Sequence, residues 1–210
     1  MLDFPRLEAP NRNIKEHRMR HLSAALVGAI VVFIWGFLAW AAIPIWGFPF
    51  GTPANEDVVL QTLADNCVTS GAYYIPDMPK VDDSTPEGKA AWDTWSVKHQ
   101  QGPLALVLVN RSGSEPMAAR EMAMGFGIEF VCALLLTCVL SGIDGDCKRR
   151  ARVGQTIALF MATAIWGVQW NFMHLPGNYI LANWLDAIIA WSLCSIAIAY
   201  MLSRKQAAAA

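Results

Sequence analysis

The sequence predicts an all-α integral membrane protein with four transmembrane helices and a small α+β extracytoplasmic cap between helices 1 and 2. Three observations lead to this prediction. Of the 210 residues, 55% are hydrophobic and only 16% are charged, whereas a soluble domain carries about 25% charged residues. Four apolar runs are long enough to cross a hydrocarbon layer about 30 Å thick, which takes roughly 20 residues. Lysine and arginine cluster at alternate ends of these runs.

The composition also excludes several classes of protein. A disordered chain is excluded by the high apolar content. With 16 basic and 17 acidic residues, the net charge of −1 provides no basic field for nucleic acid. Five cysteines are too few, and odd in number, for a disulfide scaffold. A membrane domain and a very apolar globule remain, and helices without charge on any face for about six turns are rare in soluble proteins.

The four predicted spans share a length of about 20 residues and an almost complete lack of internal charge. They cover residues 22–43, 121–142, 153–172 and 179–202. Pro44 ends the first span, whose 22 apolar residues exceed the usual length of a signal-peptide core, about 7–15 residues. We therefore expect a retained anchor rather than a cleaved signal peptide.

The distribution of lysine and arginine predicts the orientation. Eleven of these residues lie in the two terminal segments, 1–21 and 203–210, and in the link at 143–152. The segment 44–120 carries five, and the link at 173–178 has none. Because cytoplasmic loops carry an excess of positive charge, we expect both termini and the 143–152 loop to be cytoplasmic. Residues 44–120 would then be periplasmic, in a bacterial inner membrane, and 173–178 would form an outer turn.

The outer segment contains signals for short helices and strands. Asn55 is typical of an N-cap and predicts a helix over Glu56–Asn66. Alternating and β-branched residues predict strands over Gly71–Ile75 and residues 103–109, on either side of a helix over 86–99. This segment is too small to form a large core of its own, so we expect a cap that rests on the outer ends of the membrane helices.

Several stretches of the chain together resemble a known group of proteins. They are ALVGAIVVFIWG in the first span, PANEDVVL and GAYYIPDMP in the cap, and the strand LALVLVN. In this order, over residues 20–203, the chain resembles a family of uncharacterised bacterial four-helix inner-membrane proteins. The resemblance implies the same architecture, and it implies no reaction, cofactor or site residue.

Polar side chains within the predicted spans are costly and need an explanation. Five of them, together with His174 in the outer turn, fall near the outer ends of the last three spans: Glu129, Gln169, Asn171, His174, Asn183 and Asp186. Counting from the predicted helix starts, both acids lie roughly 10 Å below the outer interface. The cluster is either an outward-facing cavity for a proton, a cation or a polar head group, or a set of groups that satisfy one another and fix helix register.

Helical spacing predicts two different faces on the fourth span. The small and polar face comprises Asn183, Asp186, Ala187, Ala190 and Cys194. The bulky apolar face comprises Trp184, Ile188, Trp191 and Ile198. We expect the first face to point into the bundle and the second toward lipid or other membrane subunits. Ala24, Ala25, Gly28 and Ala29 predict close helix packing, internal or with a neighbouring subunit.

No motif for a catalytic site, a metal or a cofactor is present in the sequence. The first functional hypothesis is therefore a non-catalytic accessory or scaffold subunit of a larger bioenergetic or envelope complex, without nucleic acid as a partner. The alternative is a small carrier that binds a proton, a cation or a polar ligand through Glu129 and Asp186. A third hypothesis, an intramembrane enzyme, would have only cysteines and carboxylates at matching depth.

Overall fold

A computed structural model describes residues 12–43 and 49–204, without the side chains of residues 12–15, 40 and 41. The start of the predicted leader, the first residues of the predicted cap and nearly all of the predicted tail lie outside this described part.

The described chain forms six helices and two strands. They are α1 (Arg12–Ala41), α2 (Glu56–Asn66), β1 (Gly71–Ile75), α3 (Pro86–Gln101), β2 (Ala105–Val109), α4 (Ala119–Ser141), α5 (Cys147–Met173) and α6 (Gly177–Ser203). By length and composition, α1, α4, α5 and α6 are each able to cross a membrane. The prediction of a largely helical chain with four such helices and a small cap containing strands is thus confirmed.

All four long helices begin before the predicted spans, α4 and α6 by only two residues but α1 and α5 by much more. The helix α1 begins at Arg12, inside the basic leader, and α5 begins at Cys147 rather than near residue 153. The early start of α5 has a local cause, because the Asp146 side chain accepts a 2.9 Å hydrogen bond from the Arg149 backbone N–H. The predicted 143–152 loop is therefore largely helix, and its basic residues lie in the first turns of α5.

One of these basic residues is buried instead of solvated. Arg150 is only 6% exposed. Its Nε donates to the Ile143 carbonyl and its Nη1 to the Ser203 hydroxyl, both at 3.1 Å. The guanidinium thus joins the start of α5 to the end of α4 and the end of α6.

The long helices pack in the order α4, α1, α6, α5. The helix α1 packs extensively against α4 and α6, and α6 against α5, whereas α4 touches α5 and α6 only slightly. Small residues make these approaches close: a Cβ on Gly28 would lie 3.0 Å from Cys194 Sγ, and one on Gly154 would lie 2.5 Å from Ser195 Cβ. The small residues of α1 thus serve packing within this chain. The sequence had left open whether they pack internally or against a neighbouring subunit.

The two faces predicted for α6 are correct only in part. Asn183, Ala190 and Cys194 are buried as expected. Ile198 is also fully buried, against the close approach of α1, so its assignment to the outward face was wrong. A residue on the bulky face, Trp184, is partly exposed and donates a 3.1 Å hydrogen bond to the Thr163 hydroxyl of α5.

The cap follows the sequence prediction closely. The Asn55 side chain accepts a 3.1 Å hydrogen bond from the Val58 backbone N–H, which confirms the N-cap of α2. The strands β1 and β2 pair antiparallel, with Gly71 opposite Val109. The second strand begins at Ala105, two residues later than predicted, because Pro103 has no N–H to donate to the sheet.

Candidate functional site

Asp186, one of the two acids predicted inside the spans, has a hydrogen-bond partner on another helix. Trp35 Nε1 of α1 donates to Asp186 Oδ1 of α6 at 2.8 Å, and the pair is partly buried. An indole N–H is a donor only, so it suits the acceptor oxygen of a carboxyl group. This contact satisfies the acid and links α1 to α6.

Glu129, the second acid, has a different environment on α4. Its Oε2 atom is buried and has no hydrogen-bond partner among the described residues. The carboxyl lies within electrostatic range of the Cys194 thiol on α6. A buried carboxyl oxygen without a donor is unusual in proteins and calls for an explanation.

The two acids lie at different depths, which the sequence analysis did not expect. Phe126 on α4 contacts Phe33 on α1, with ring centres 5.6 Å apart. Glu129 follows Phe126 by nearly one turn, which places it near the level of residue 30 on α1. Asp186 instead bonds to Trp35, so Glu129 lies about 7 Å deeper at about 1.5 Å per residue. Helix starts alone gave equal depths because they do not fix how the helices are shifted along one another.

The remaining four residues of the predicted polar cluster lie at the outer ends of α5 and α6. Asn183 is buried and donates to the Tyr179 carbonyl of its own helix at 2.8 Å. Gln169 is half-buried, while Asn171 and His174 line a cavity of about 380 Å³ at the end of α5. Among the described residues, no hydrogen bond joins two of the six predicted side chains. Asn183 and Asp186 are thus bonded to groups outside the six, and Glu129 has one buried oxygen without a donor among the described residues.

The structure adds a residue that the sequence analysis missed, His99 on α3. Its ring contacts the ring of His174, with centres 5.6 Å apart, and the ring of Trp95 at 4.9 Å. Its Nε2 atom lies 3.5 Å from the Tyr74 hydroxyl. Only the tertiary structure brings His99 and His174 together, so no local sequence signal could have found the pair.

A cavity of about 520 Å³ lies beside this histidine, between the cap and the end of α5. It is lined by Ala72, Tyr74, Asp77, Met78, Trp95, His99, Leu106, Phe172 and Met173. Most of these side chains are aromatic or contain sulfur, and Asp77 is the acidic residue among them. This volume is within the range of small-ligand pockets, roughly 300–1,000 Å³.

A second, fully apolar groove lies between α4 and α5, where these two helices hardly touch. Its volume is about 280 Å³, and its lining is Cys132, Leu135, Leu136, Val139, Gly154, Ile157, Ala158, Met161 and Trp191. Trp191 is the residue of the predicted partner-facing surface that reaches this groove. The indole is half-buried and also packs against the core.

Among the described residues, no group of three or more His, Cys, Asp or Glu side chains is placed to hold a metal ion. A scan against protein-family models and searches of curated proteins and solved structures find no match for this chain. The resemblance to bacterial four-helix membrane proteins therefore stays a prediction, and the function has to be argued from the features of the chain itself.

Proposed function

We propose that this chain is a non-catalytic multi-pass protein of a bacterial inner membrane, with both termini cytoplasmic and the cap in the periplasm. Four helices able to span a bilayer support membrane insertion. The excess of lysine and arginine at the termini and between α4 and α5 supports the orientation.

Within the membrane, we propose the role of an accessory or scaffold subunit of a larger complex. The single observation that carries this proposal is the apolar groove between α4 and α5. Neighbouring helices in the row α4, α1, α6, α5 pack extensively, whereas α4 and α5, at its two ends, leave a gap between them. A helix of another subunit in this gap would complete the packing of the four helices.

The groove suits apolar side chains from a neighbouring transmembrane helix in size and in chemistry. On α4 its lining extends from Cys132 to Val139, which is about 10 Å or two helical turns. On α5 the buried Gly154 and Ala158 form the floor of the groove, and the half-buried Ile157 and Met161 line it as well. Trp191 supplies a large aromatic surface at the same place. The predicted partner is therefore an apolar helix of a neighbouring subunit.

A pair of tryptophan substitutions on α5 tests this role. Ile157→Trp narrows the groove, whereas Leu159→Trp adds the same side chain on a different, exposed surface of the helix. The protein is extracted in a mild detergent, and the mass of its assembly is measured by native mass spectrometry. We expect a hetero-complex for the natural chain and for Leu159→Trp, and a free 23.1 kDa chain for Ile157→Trp.

Two outcomes would contradict the proposed role. The first is a free monomer of the natural chain in several mild detergents. The second is an assembly that contains copies of this chain alone. A hetero-complex that survives Ile157→Trp would leave the subunit role intact but would move the interface away from the groove.

A second candidate function is favoured by one observation, the buried Oε2 atom of Glu129 without a hydrogen-bond donor. A proton or a small cation would satisfy this oxygen, as expected for a carrier that uses an intramembrane acid. Asp186 has a weaker case, because Trp35 already donates to it.

Transport assays in liposomes can separate the two acids. If the chain is a carrier, a pH-dependent proton or cation flux disappears in Glu129→Gln and persists in Asp186→Asn. No flux from the natural chain, or equal loss in both variants, would contradict the carrier role of Glu129.

A further inference from the structure

Two histidine rings from distant parts of the chain meet where the cap lies against the end of α5. His99 lies in the last turn of α3, and His174 follows α5 directly as its C-cap residue. Their ring centres are 5.6 Å apart and the ring planes are inclined by 70°. His174 has a positive φ of 52°, a backbone conformation that few residues other than glycine adopt. The fold therefore holds two imidazoles side by side at an exposed edge.

The separation of the rings fits two imidazoles bound to one metal ion. An imidazole nitrogen binds a transition metal at about 2.0 Å, which puts the ion about 3.2 Å from the ring centre. With ring centres 5.6 Å apart and one nitrogen of each ring directed at the ion, the angle between the two bonds at the ion would be about 120°. Three-coordinate ions have this angle, so the pair leaves room for at least one more ligand.

Thioether sulfur atoms near His99 are the candidates for the additional ligands. Met78 and Met173 line the same cavity as His99, and Met173 precedes His174 in the chain. Both methionines are exposed, at 51% and 42%, so they are accessible to an ion from the cap side. A thioether is a soft ligand, and together with imidazole it favours copper over hard cations.

We propose that His99, His174, Met78 and Met173 form a binding site for one cuprous ion at the junction of the cap and α5. Zinc is almost always held by four ligands, and its catalytic sites take three of them from the protein. Calcium and magnesium require oxygen ligands. The described residues contain no group of three or more His, Cys, Asp or Glu side chains for such ions. A cuprous ion fits two imidazoles and thioether sulfur.

The surroundings of the site are compatible with a bound cation. The Trp95 ring lies 4.9 Å from the His99 ring, centre to centre, and Tyr74 is adjacent. Aromatic faces attract cations. Asp77 also lines the cavity, and its carboxylate is partly neutralised by Lys80 Nζ at 3.4 Å. The ion would therefore enter a cavity with aromatic and acidic groups.

The test is a competition for cuprous ion between the full-length protein in detergent and the chromophoric chelator bicinchoninate, without oxygen. The chain has five free cysteines, which also bind copper, so all samples are first treated with N-ethylmaleimide. We expect the natural chain to remove one equivalent of copper from the chelator. Mutation of a residue that only supports a metal ligand already lowers metal affinity by about tenfold or more. The double variant His99→Ala/His174→Ala removes two direct ligands, so its copper affinity should fall by more than about tenfold.

Two further variants keep the test informative if the histidine variant folds poorly. Met78→Leu/Met173→Leu conserves side-chain volume and removes only the sulfur atoms, so its copper affinity should fall while its circular dichroism stays unchanged. His17→Ala/His21→Ala removes the other histidine pair, whose ring centres are 6.5 Å apart at the far end of α1. This matched control should bind copper as the natural chain does.

The outcomes separate the proposal from its alternatives. X-ray absorption of the loaded natural chain should show nitrogen and sulfur neighbours of copper, and the sulfur signal should vanish in the methionine variant. Binding that survives loss of His99 and His174, or a natural chain that takes up no copper, would overturn the site. Tight zinc binding that is unaffected by the methionine substitutions would overturn its assignment to a cuprous ion. None of these results depends on a partner in the α4–α5 groove.

Discussion

The four long helices and the cap of this protein are stabilised in different ways. In α5, three of the four buried residues are Gly154, Ala158 and Ala162, and the fourth is an arginine. In the cap, α2 has no buried residue, and α3 buries only Gly88. The long helices thus approach one another through small residues, whereas the cap has almost no buried side chains to pack.

Hydrogen bonds from side chains to the backbone replace a core in the cap. Trp92 Nε1 donates to the Val81 carbonyl, and Trp95 Nε1 donates to the Pro76 carbonyl, both at 3.2 Å. With the long helices in a bilayer, as proposed above, the physical reason is the solvent. In lipid, helices gain little from burying apolar side chains and depend on close contact, while a small unit in water cannot bury enough apolar surface. A larger side chain should therefore destabilise the long helices more than the cap. Loss of a hydrogen-bond donor should destabilise the cap more than the long helices.

The largest expected effect is that of a methyl group added to α5. In Gly154→Ala, the new Cβ would lie 2.5 Å from Ser195 Cβ, so α5 and α6 must move apart. Overpacking of this kind costs about 1–3 kcal/mol. The matched control is Gly167→Ala on the same helix, where a Cβ meets nothing within 4 Å. Unfolding by sodium dodecyl sulfate, followed by circular dichroism, should show a lower midpoint for Gly154→Ala alone. Equal midpoints would mean that close packing does not hold these two helices together.

A smaller effect is expected from the loss of one donor in the cap. Arg111 Nη1 donates to the Ala64 and Cys67 carbonyls, each at 2.7 Å, at the C-terminal end of α2. Because hydrogen bonds to a charged group are stronger than neutral ones, Arg111→Ala should destabilise the cap by about 1–2 kcal/mol. Hydrogen exchange should become faster in α2 and stay unchanged in α5. Lys89→Ala, an exposed position on α3, serves as the control. Faster exchange in α5 would contradict the separation of the two regions.

Loss of a hydrogen-bond donor between two long helices should lower the free energy of unfolding less than either of these changes. Trp35→Phe keeps the aromatic ring and removes the indole N–H that bonds Asp186. Interhelical hydrogen bonds in membranes contribute only about 0.6–1.7 kcal/mol, so the midpoint in sodium dodecyl sulfate should fall less than in Gly154→Ala. A larger fall than in Gly154→Ala would show that the polar contact, not the close packing, dominates.

The smallest expected effect concerns pH and the exposed turn before α3. The Ser84 backbone N–H donates to Asp82 Oδ1 at 2.9 Å, and this hydrogen bond holds the pKa of Asp82 below its usual value. A lowered pKa means that the turn is stabilised at neutral pH and loses this stabilisation as the pH falls through the pKa of the folded state. The Ser84 amide signal in NMR should therefore titrate with a midpoint below 3.8, the ordinary value for aspartate. A midpoint at or above that value would contradict the hydrogen bond.

Local features of the fold could be predicted from the sequence. The N-cap Asn55 and the strand Gly71–Ile75 depend on neighbouring residues, and the structure has both at the predicted positions. The four apolar helices were equally predictable, because length and hydropathy are local properties. The start of α5 was missed because the basic residues after Asp146 were interpreted as a loop.

Contacts between distant residues could not be predicted. Trp35 and Asp186 meet because α1 packs against α6, and nothing near either residue in the sequence indicates the other. The same holds for the His99 and His174 rings. The depth of Glu129 also depended on the axial shift between α1 and α4. The types of the polar residues were therefore predictable, but their partners were not.

The central claim is that the chain crosses a membrane four times and exposes its cap on the outer side. Thiol labelling in intact cells with a membrane-impermeant maleimide tests it most directly, with Asp83→Cys in the cap and Lys148→Cys at the start of α5. Both positions are exposed, so folding does not hide them. We predict labelling of Asp83→Cys in intact cells and of Lys148→Cys only after the membrane is permeabilised. The reverse pattern, or labelling of both in intact cells, would contradict the claim.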